Sequence, residues 1–161
     1  MGESAAVVIL CDTSSSMAGE PIRQLREKLG RVWPSMRGAR LFAFESTVTE
    51  IESPEQLPVP QGGTALHLAL ERAAELCPGE VVVISDGAPN DAEAALAAAR
   101  KLPGVVQAIF VGDEVRNREA VQFMTRLARE NGGRVITRRL SDPAFESSVR
   151  AVLGLPAPVV R

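Results

Sequence analysis

Short runs of consecutive apolar residues recur along the chain, and they alternate with stretches in which an apolar residue returns every third or fourth position. The runs are typical of strands covered on both faces, and the stretches are typical of helices with one buried face. Two other segments, Arg40–Glu45 and Thr47–Glu52, have period two and are separated by Ser46 alone, which predicts a hairpin or one bent ribbon at a sheet edge. The buried strands are predicted at Ala5–Cys11, Glu80–Ser85, Val105–Val111 and Arg134–Thr137.

Helical patterns fill most of the chain between these strands. Pro21 suits the first turn of the first helix, and Gly132-Gly133 ends the fourth. Asn90 and Glu93 have the spacing of a capping box, which predicts that Asn90 caps the third helix. The helices are predicted at Glu20–Met36, Thr64–Cys77, Asp91–Leu102, Arg116–Asn131 and Pro143–Leu153.

Alternation of strands and helices over short connections predicts an α/β fold, a three-layer, doubly wound and mostly parallel sheet with one antiparallel edge strand. We expect one domain over residues 1–153, and a disordered tail over residues 154–161. In such folds ligands bind beyond the carboxyl ends of the strands, where the strand order reverses. Functional side chains are therefore expected directly after Cys11 and directly after Ser85.

Charge and composition narrow the possible partners. The 161 residues carry 18 Lys and Arg against 20 Asp and Glu, so a net charge of -2 gives no electrostatic footprint for nucleic acid or for an anionic membrane. The apolar runs are shorter than the ~20 residues that span a bilayer, and no signal-peptide pattern opens the chain. We therefore expect a cytoplasmic protein, with Cys11 and Cys77 as buried free thiols.

Oxygen-bearing side chains collect at the predicted rim of the sheet. Asp12, Ser14 and Ser16 follow the first strand, Asp86 follows the strand Glu80–Ser85, and Thr64 opens the second helix behind two glycines. In an extended loop, Ser14 and Ser16 would point the same way because side chains alternate. Hydroxyls and carboxylates without imidazole or thiolate select hard cations, which here means Mg²⁺, with Mn²⁺ or Ca²⁺ as alternatives.

The ordered set Asp12-x-Ser14-x-Ser16, Thr64 and Asp86-Gly87 resembles the metal-ion-dependent adhesion site of von Willebrand factor type A domains. The resemblance covers roughly residues 5–153 and is nearest to compact stand-alone bacterial members encoded near tellurite-resistance and AAA+ ATPase genes. It implies a Rossmann-like fold with metal at the top of the sheet. It also implies that Ser14, Ser16 and Thr64 contact the metal, while Asp12 and Asp86 act directly or through water.

The function implied by the resemblance is Mg²⁺-dependent protein binding. Three hydroxyls and two carboxylates leave an octahedral cation with an open position, which an Asp or Glu of another protein can fill. An AAA+ ATPase or a stress-response component is the kind of partner that the resemblance suggests. We expect the chain to be a monomer, with no nucleic-acid or membrane partner.

Other interpretations of the same residues remain open from the sequence. Ser14–Ser16 and Thr64 are also good residues for capping the first two helices, and Asp12 and Asp86 are common turn formers. A metal-dependent hydrolase would use the same acids, but the chain has neither G-x-S-x-G nor a histidine after a late strand. We therefore expect a protein that is not an enzyme. The remaining alternative is a scaffold that binds through its rim loops without metal.

Overall fold

A six-stranded sheet forms the centre of the computed structural model, which describes residues 6–155. The strands are β1 Val7–Asp12, β2 Arg40–Phe44, β3 Val48–Ile51, β4 Glu80–Ser85, β5 Val105–Phe110 and β6 Val135–Thr137. The strand order is β3-β2-β1-β4-β5-β6, and every pair is parallel except β2 with the edge strand β3. The predicted fold class is confirmed, and the predicted hairpin forms the β2–β3 edge.

Helices cover both faces of the sheet because each strand alternates its side chains between two cores. The helices are α1 Glu20–Val32, α2 Leu66–Ala74, α3 Ala92–Arg100, α4 Arg118–Glu130 and α5 Phe145–Val152. Val8 and Leu10 of β1 point into a core shared with α2, α3 and α4, while Ile9 and Cys11 point into a core shared with α1 and α5.

All five helices are shorter than predicted, and the ends of two of them have a clear physical reason. α1 ends at Val32 and gives way to a 3₁₀ turn at Trp33–Ser35, because Pro34 has no N–H to continue the helical ladder. α3 is capped by Asp91, whose carboxylate accepts the amide of Ala94 at 2.9 Å, so the prediction that Asn90 is the cap is wrong. The side chain of Asn90 has another partner, described below.

Strand order reverses between β1 and β4. β1 pairs with β2 on one side and with β4 on the other, and the chain then continues outward through β5 and β6. The crevice at this reversal lies where Asp12 ends β1 and Asp86 follows β4. This is the position at which open α/β sheets bind their ligands.

Three further sequence expectations concern the two cysteines, the C-terminal tail and membrane-spanning helices. Cys11 is fully buried as expected, but Cys77 is exposed, so the prediction of a buried thiol there is wrong. Most of the predicted tail, residues 156–161, lies outside the described residues. Within residues 6–155, no helix is both long enough and apolar enough to cross a membrane.

Candidate metal site

A chain of hydrogen bonds joins four of the predicted site residues across the reversal in strand order. The hydroxyl of Ser16 donates to Oδ1 of Asp86 at 2.8 Å, and the hydroxyls of Ser14 and Ser16 are 3.2 Å apart. The amide of Ser14 donates to Oδ1 of Asp12 at 2.8 Å. Ser16 and Asp86, which are 70 positions apart in sequence, are thus in direct contact, as expected for residues that follow neighbouring parallel strands.

Two hydrogen bonds hold the carboxylate of Asp12 at the buried end of this hydrogen-bond network. While its Oδ1 accepts the Ser14 amide, its Oδ2 accepts the hydroxyl of Ser85 at 2.7 Å. Asp12 and Ser85 are both almost fully buried, so the second bond fixes the orientation of a buried carboxylate. Ser85 was not predicted as a site residue, although a serine at the end of a buried strand and directly before Asp86 was a signal in the sequence.

The site hydroxyls do not serve as helix caps. The N-cap of α1 is Gly19, and the N-cap of α2 is Ala65, and neither helix start has a side-chain capping hydrogen bond. Ser14 occupies the N-cap position of the short 3₁₀ helix Ser15–Met17, again without a side-chain cap bond. The capping interpretation of Ser14, Ser16 and Thr64 therefore fails, whereas Asp12 does form a local turn through the Ser14 amide.

The neighbouring hydroxyls point away from the crevice. Thr13 donates to the carbonyl of Phe44 at 3.2 Å, and Ser15 donates to the carbonyl of Gly62 at 3.1 Å. The segment is a 3₁₀ turn over Ser15–Met17 rather than the extended loop assumed from the sequence. The expected result is nevertheless confirmed, because the hydroxyls of Ser14 and Ser16 meet each other.

Thr64 contacts the loop after β4 through Asn90, and within residues 6–155 its hydroxyl forms no hydrogen bond with Asp12, Ser14, Ser16 or Asp86. Its amide donates to Oδ1 of Asn90 at 3.0 Å, and its carbonyl accepts the amide of Asn90 at 2.8 Å. The preceding residues of the same loop contact the first site segment, since the Ser15 amide donates to the Gly62 carbonyl at 3.2 Å. Thr64 itself is half-buried.

Asp86 occupies an environment that disfavours its negative charge. Burial raises the pKa of this carboxyl group above its ordinary range, and the charge of Asp12 raises it further, although the hydrogen bond from Ser16 works in the opposite direction. Among residues 6–155, no Lys or Arg forms an ion pair with Asp12 or Asp86. A bound cation would remove this penalty, so the electrostatics fit the group that the sequence implies.

The donor set also fits a hard cation. The described residues contain no group of three or more His, Cys, Asp or Glu side chains that could bind a metal, so a site within residues 6–155 depends on hydroxyl oxygens as well. Exposure increases outward from the buried Asp12 and Ser14, through the half-buried Asp86 and Thr64, to the exposed Ser16. One side of the oxygen cluster is therefore open to a ligand from solution.

A cleft of about 290 Å³ adjoins the cluster and shares Asp86 with it. Its walls include Pro21, Val111 and Leu140, and an ion pair between Arg139 and Asp113 at 3.2 Å lies on its edge. Asp113 also accepts the amides of two following residues, and these bonds together with its arginine neighbours lower the pKa of its carboxyl group. The loop acid therefore forms a turn, and it does not join the oxygen cluster.

The fold is that of von Willebrand factor type A domains. A von Willebrand factor type A protein from Catenulispora acidiphila matches with a TM-score of 0.72 and 15% identity, over 92% of this chain and 42% of that chain. Manganese-loaded TRAP protein from Plasmodium vivax matches with a TM-score of 0.60 and 18% identity, over 94% of this chain and 72% of that one. The PilB minor pilin from Streptococcus sanguinis matches with a TM-score of 0.72 and 13% identity, over 94% and 61%.

These similarities concern the fold, because the sequences are at most 18% identical. The chain spans less than half of the Catenulispora structure and about three fifths of the pilin structure. No family model matches the sequence, and no curated protein matches it. The residues of the site are therefore argued from this chain alone.

Proposed function

We propose that the chain is a Mg²⁺-dependent protein-interaction module that binds an Asp or Glu side chain of a partner. The observation that carries the proposal is the cluster of Ser14, Ser16 and Asp86, which are hydrogen-bonded to one another beside the buried Asp12. With Thr64, these residues would hold the cation. The cation would supply positive charge and an open coordination position for an incoming carboxylate.

The charge balance of the site explains why an acidic partner would need the metal. Asp12 and Asp86 make the crevice negative, and no basic side chain among residues 6–155 pairs with them. A partner carboxylate would be repelled by the empty crevice and attracted once a divalent cation offsets the two charges. The cleft beside Asp86 offers space for the partner residues that flank the carboxylate.

The oxygen donors suit Mg²⁺, and Mn²⁺ has similar preferences. The fold neighbour TRAP is manganese-loaded, which supports a divalent cation in a fold of this type. Binding is favoured over catalysis because the Ser16 hydroxyl donates to Asp86 and is bonded to the Ser14 hydroxyl, with no histidine among their partners. The same proposal includes a cytoplasmic location, a monomeric state, and a partner such as an AAA+ ATPase or a stress-response component.

Metal binding is tested by titrating Mn²⁺ and Mg²⁺ into the protein, with calorimetry and with thermal unfolding as readouts. At a metal concentration of 100 Kd, a ligand that binds only the folded state stabilises it by about 2.7 kcal/mol. Ser14→Ala and Asp86→Asn should lose this stabilisation. Ser15→Ala is the matched control, because the Ser15 hydroxyl faces the Gly62 carbonyl and not the cluster.

Partner binding is tested by a pull-down from host cells, run in Mg²⁺ and again in EDTA, with Asp86→Asn as a second negative. We expect a protein that is retained by wild type in Mg²⁺ and lost in both other conditions. A protein that is retained equally in EDTA would overturn the metal-dependent function in favour of a scaffold that binds through its loops. Wild type that takes up no Mn²⁺ at millimolar concentration would refute the metal site itself.

A further inference from the structure

Thr64 lies on a loop that is held by contacts with other segments rather than by its own residues. It follows Gly62, which has a φ of 72°, and Gly63, and it precedes a helix whose N-cap Ala65 provides no side-chain cap. The hydroxyls of Ser14 and Ser16 are, by contrast, fixed by their own hydrogen bonds. Whatever places Thr64 relative to Asp86 must therefore come from outside its loop.

Asn90 supplies the contact that links Thr64 to the β4 side of the crevice. The side-chain oxygen of Asn90 accepts the Thr64 amide at 3.0 Å, and the backbone amide of Asn90 donates to the Thr64 carbonyl at 2.8 Å. This reciprocal pair grips one residue at both of its backbone polar groups. Other contacts of the loop lead to β1 and to the β2–β3 hairpin, as in the bond from the Gly63 amide to the Ser46 hydroxyl at 3.1 Å.

The fit between Asn90 and the loop is close. A Cβ atom added to Gly63 would lie 2.7 Å from Nδ2 of Asn90, so the asparagine packs directly against the glycine backbone. Asn90 is also free for this role, because Asp91 caps α3 through the Ala94 amide. The loop that begins with Asp86 therefore carries one candidate ligand, Asp86, and four residues later it carries Asn90, which holds the candidate ligand Thr64.

We propose that Asn90 is a positioning residue of the metal site, which fixes Thr64 at the distance from Asp86 that the cation requires. The inference rests on the proposed function, since it assigns Asn90 a role toward the same cation. The contact between Asn90 and Thr64 joins the β3–α2 loop to the β4–α3 loop at the rim of the sheet. Residues that orient metal ligands typically change metal affinity by about 10- to 100-fold when they are removed.

Two measurements on wild type, Asn90→Ala, Asn90→Asp and Asp91→Ala test this inference. The first is hydrogen exchange of the Thr64 amide without metal. It should be faster in Asn90→Ala, and restored in Asn90→Asp, which keeps the acceptor oxygen. The second is Mn²⁺ affinity, measured with Mn²⁺ alone by electron paramagnetic resonance of the free ion. Asn90→Ala should bind about 10- to 100-fold more weakly, and Asn90→Asp at least as tightly as wild type.

Asp91→Ala is the matched control, because it removes the α3 cap next door and leaves the contact with Thr64 in place. Its Mn²⁺ affinity should stay close to that of wild type. In a Thr64→Ala background, Asn90→Ala should cause no further loss, because both changes act through the same ligand.

The possible outcomes separate the two proposals. If wild type binds no Mn²⁺, the proposed function fails and the positioning role fails with it. If wild type binds but Asn90→Ala binds equally well, only the role of Asn90 is overturned. An equal loss in Asp91→Ala, or a full further loss in the Thr64→Ala background, would also overturn it, since either result assigns the effect to general loosening of the loop.

Discussion

The hydrogen bond between Ser85 and Asp12 yields the sharpest energetic prediction. Ser85→Ala removes a hydroxyl that donates to Asp12 Oδ2 at 2.7 Å, where the serine is 1% exposed and the aspartate 0%. The alanine fills nearly the same space, so the losses are this bond and the longer contacts of the same hydroxyl with the carbonyl and amide of Gly87, at 3.2 and 3.3 Å. The carboxylate oxygen then stays buried with one partner fewer.

The expected cost follows from the charge of the acceptor. Hydrogen bonds to charged groups contribute roughly 1.5–3 kcal/mol, whereas bonds between neutral groups contribute about 0.5–1.5 kcal/mol. At this chain length, 1 kcal/mol lowers the midpoint of thermal unfolding by about 2–4 °C. Ser85→Ala should therefore lower the midpoint by roughly 3–12 °C.

Thr13→Val provides the matched comparison. The Thr13 hydroxyl is equally buried, but it donates at 3.2 Å to the neutral carbonyl of Phe44. Urea unfolding of both variants in EDTA gives the free energies of unfolding without any contribution from metal. The reasoning would be refuted if Ser85→Ala cost no more than Thr13→Val, or if its cost were unchanged in an Asp12→Asn background.

Three further predictions concern stability away from the cluster. The hydrogen bond from Arg40 lowers the pKa of Glu50 below its ordinary value of 4.5, so the pair stabilises the folded state above that pH and loses its effect as pH falls through the lowered value. Glu50→Gln should cost well under about 1 kcal/mol at pH 7 in urea unfolding, with the difference vanishing in acid; a constant difference would contradict this. Asp91→Ala should cost about 1 kcal/mol by loss of the α3 cap, measured in the same way, and a neutral result would show that the cap contributes nothing. Gly133→Ala should cost about 2–4 kcal/mol, because its Cβ atom would lie 1.8 Å from the Val106 carbonyl oxygen, whereas a stable variant would show that the backbone can yield there.

The strands were predictable because their pattern is local. Glu80–Ser85 was predicted with the bounds that the structure gives, since its apolar run is enclosed by turn residues. Helix ends were less predictable because neighbouring residues compete for the same role. Asn90 and Asp91 are both good caps, and only the position of Thr64, which is 26 residues from Asn90 in sequence, decides between them.

The candidate site was visible in the sequence because four of its five predicted members lie at the ends of β1 and β4, which are neighbours in the sheet. What the sequence did not indicate is which atoms meet. The bond between Ser85 and Asp12 spans 73 residues, and the position of Ser85 directly before Asp86 places it near the site without indicating its partner. The exposure of Cys77 was missed for a related reason. α2 ends at Ala74, three residues before Cys77, so Cys77 does not lie on the buried face of the helix.

The two cysteines make this chain unusually convenient to label at one place. Cys11 is fully buried, and burial together with the charge of Asp12 raises the pKa of its thiol, so it resists alkylation in the folded protein. Cys77 is exposed and lies just before Gly79, whose amide donates to the Ala6 carbonyl at the start of the sheet, at the end opposite to the crevice. A maleimide linker on the native sequence would therefore tether the molecule to a surface by its base and present the rim of Asp86 and Thr64 to the solution.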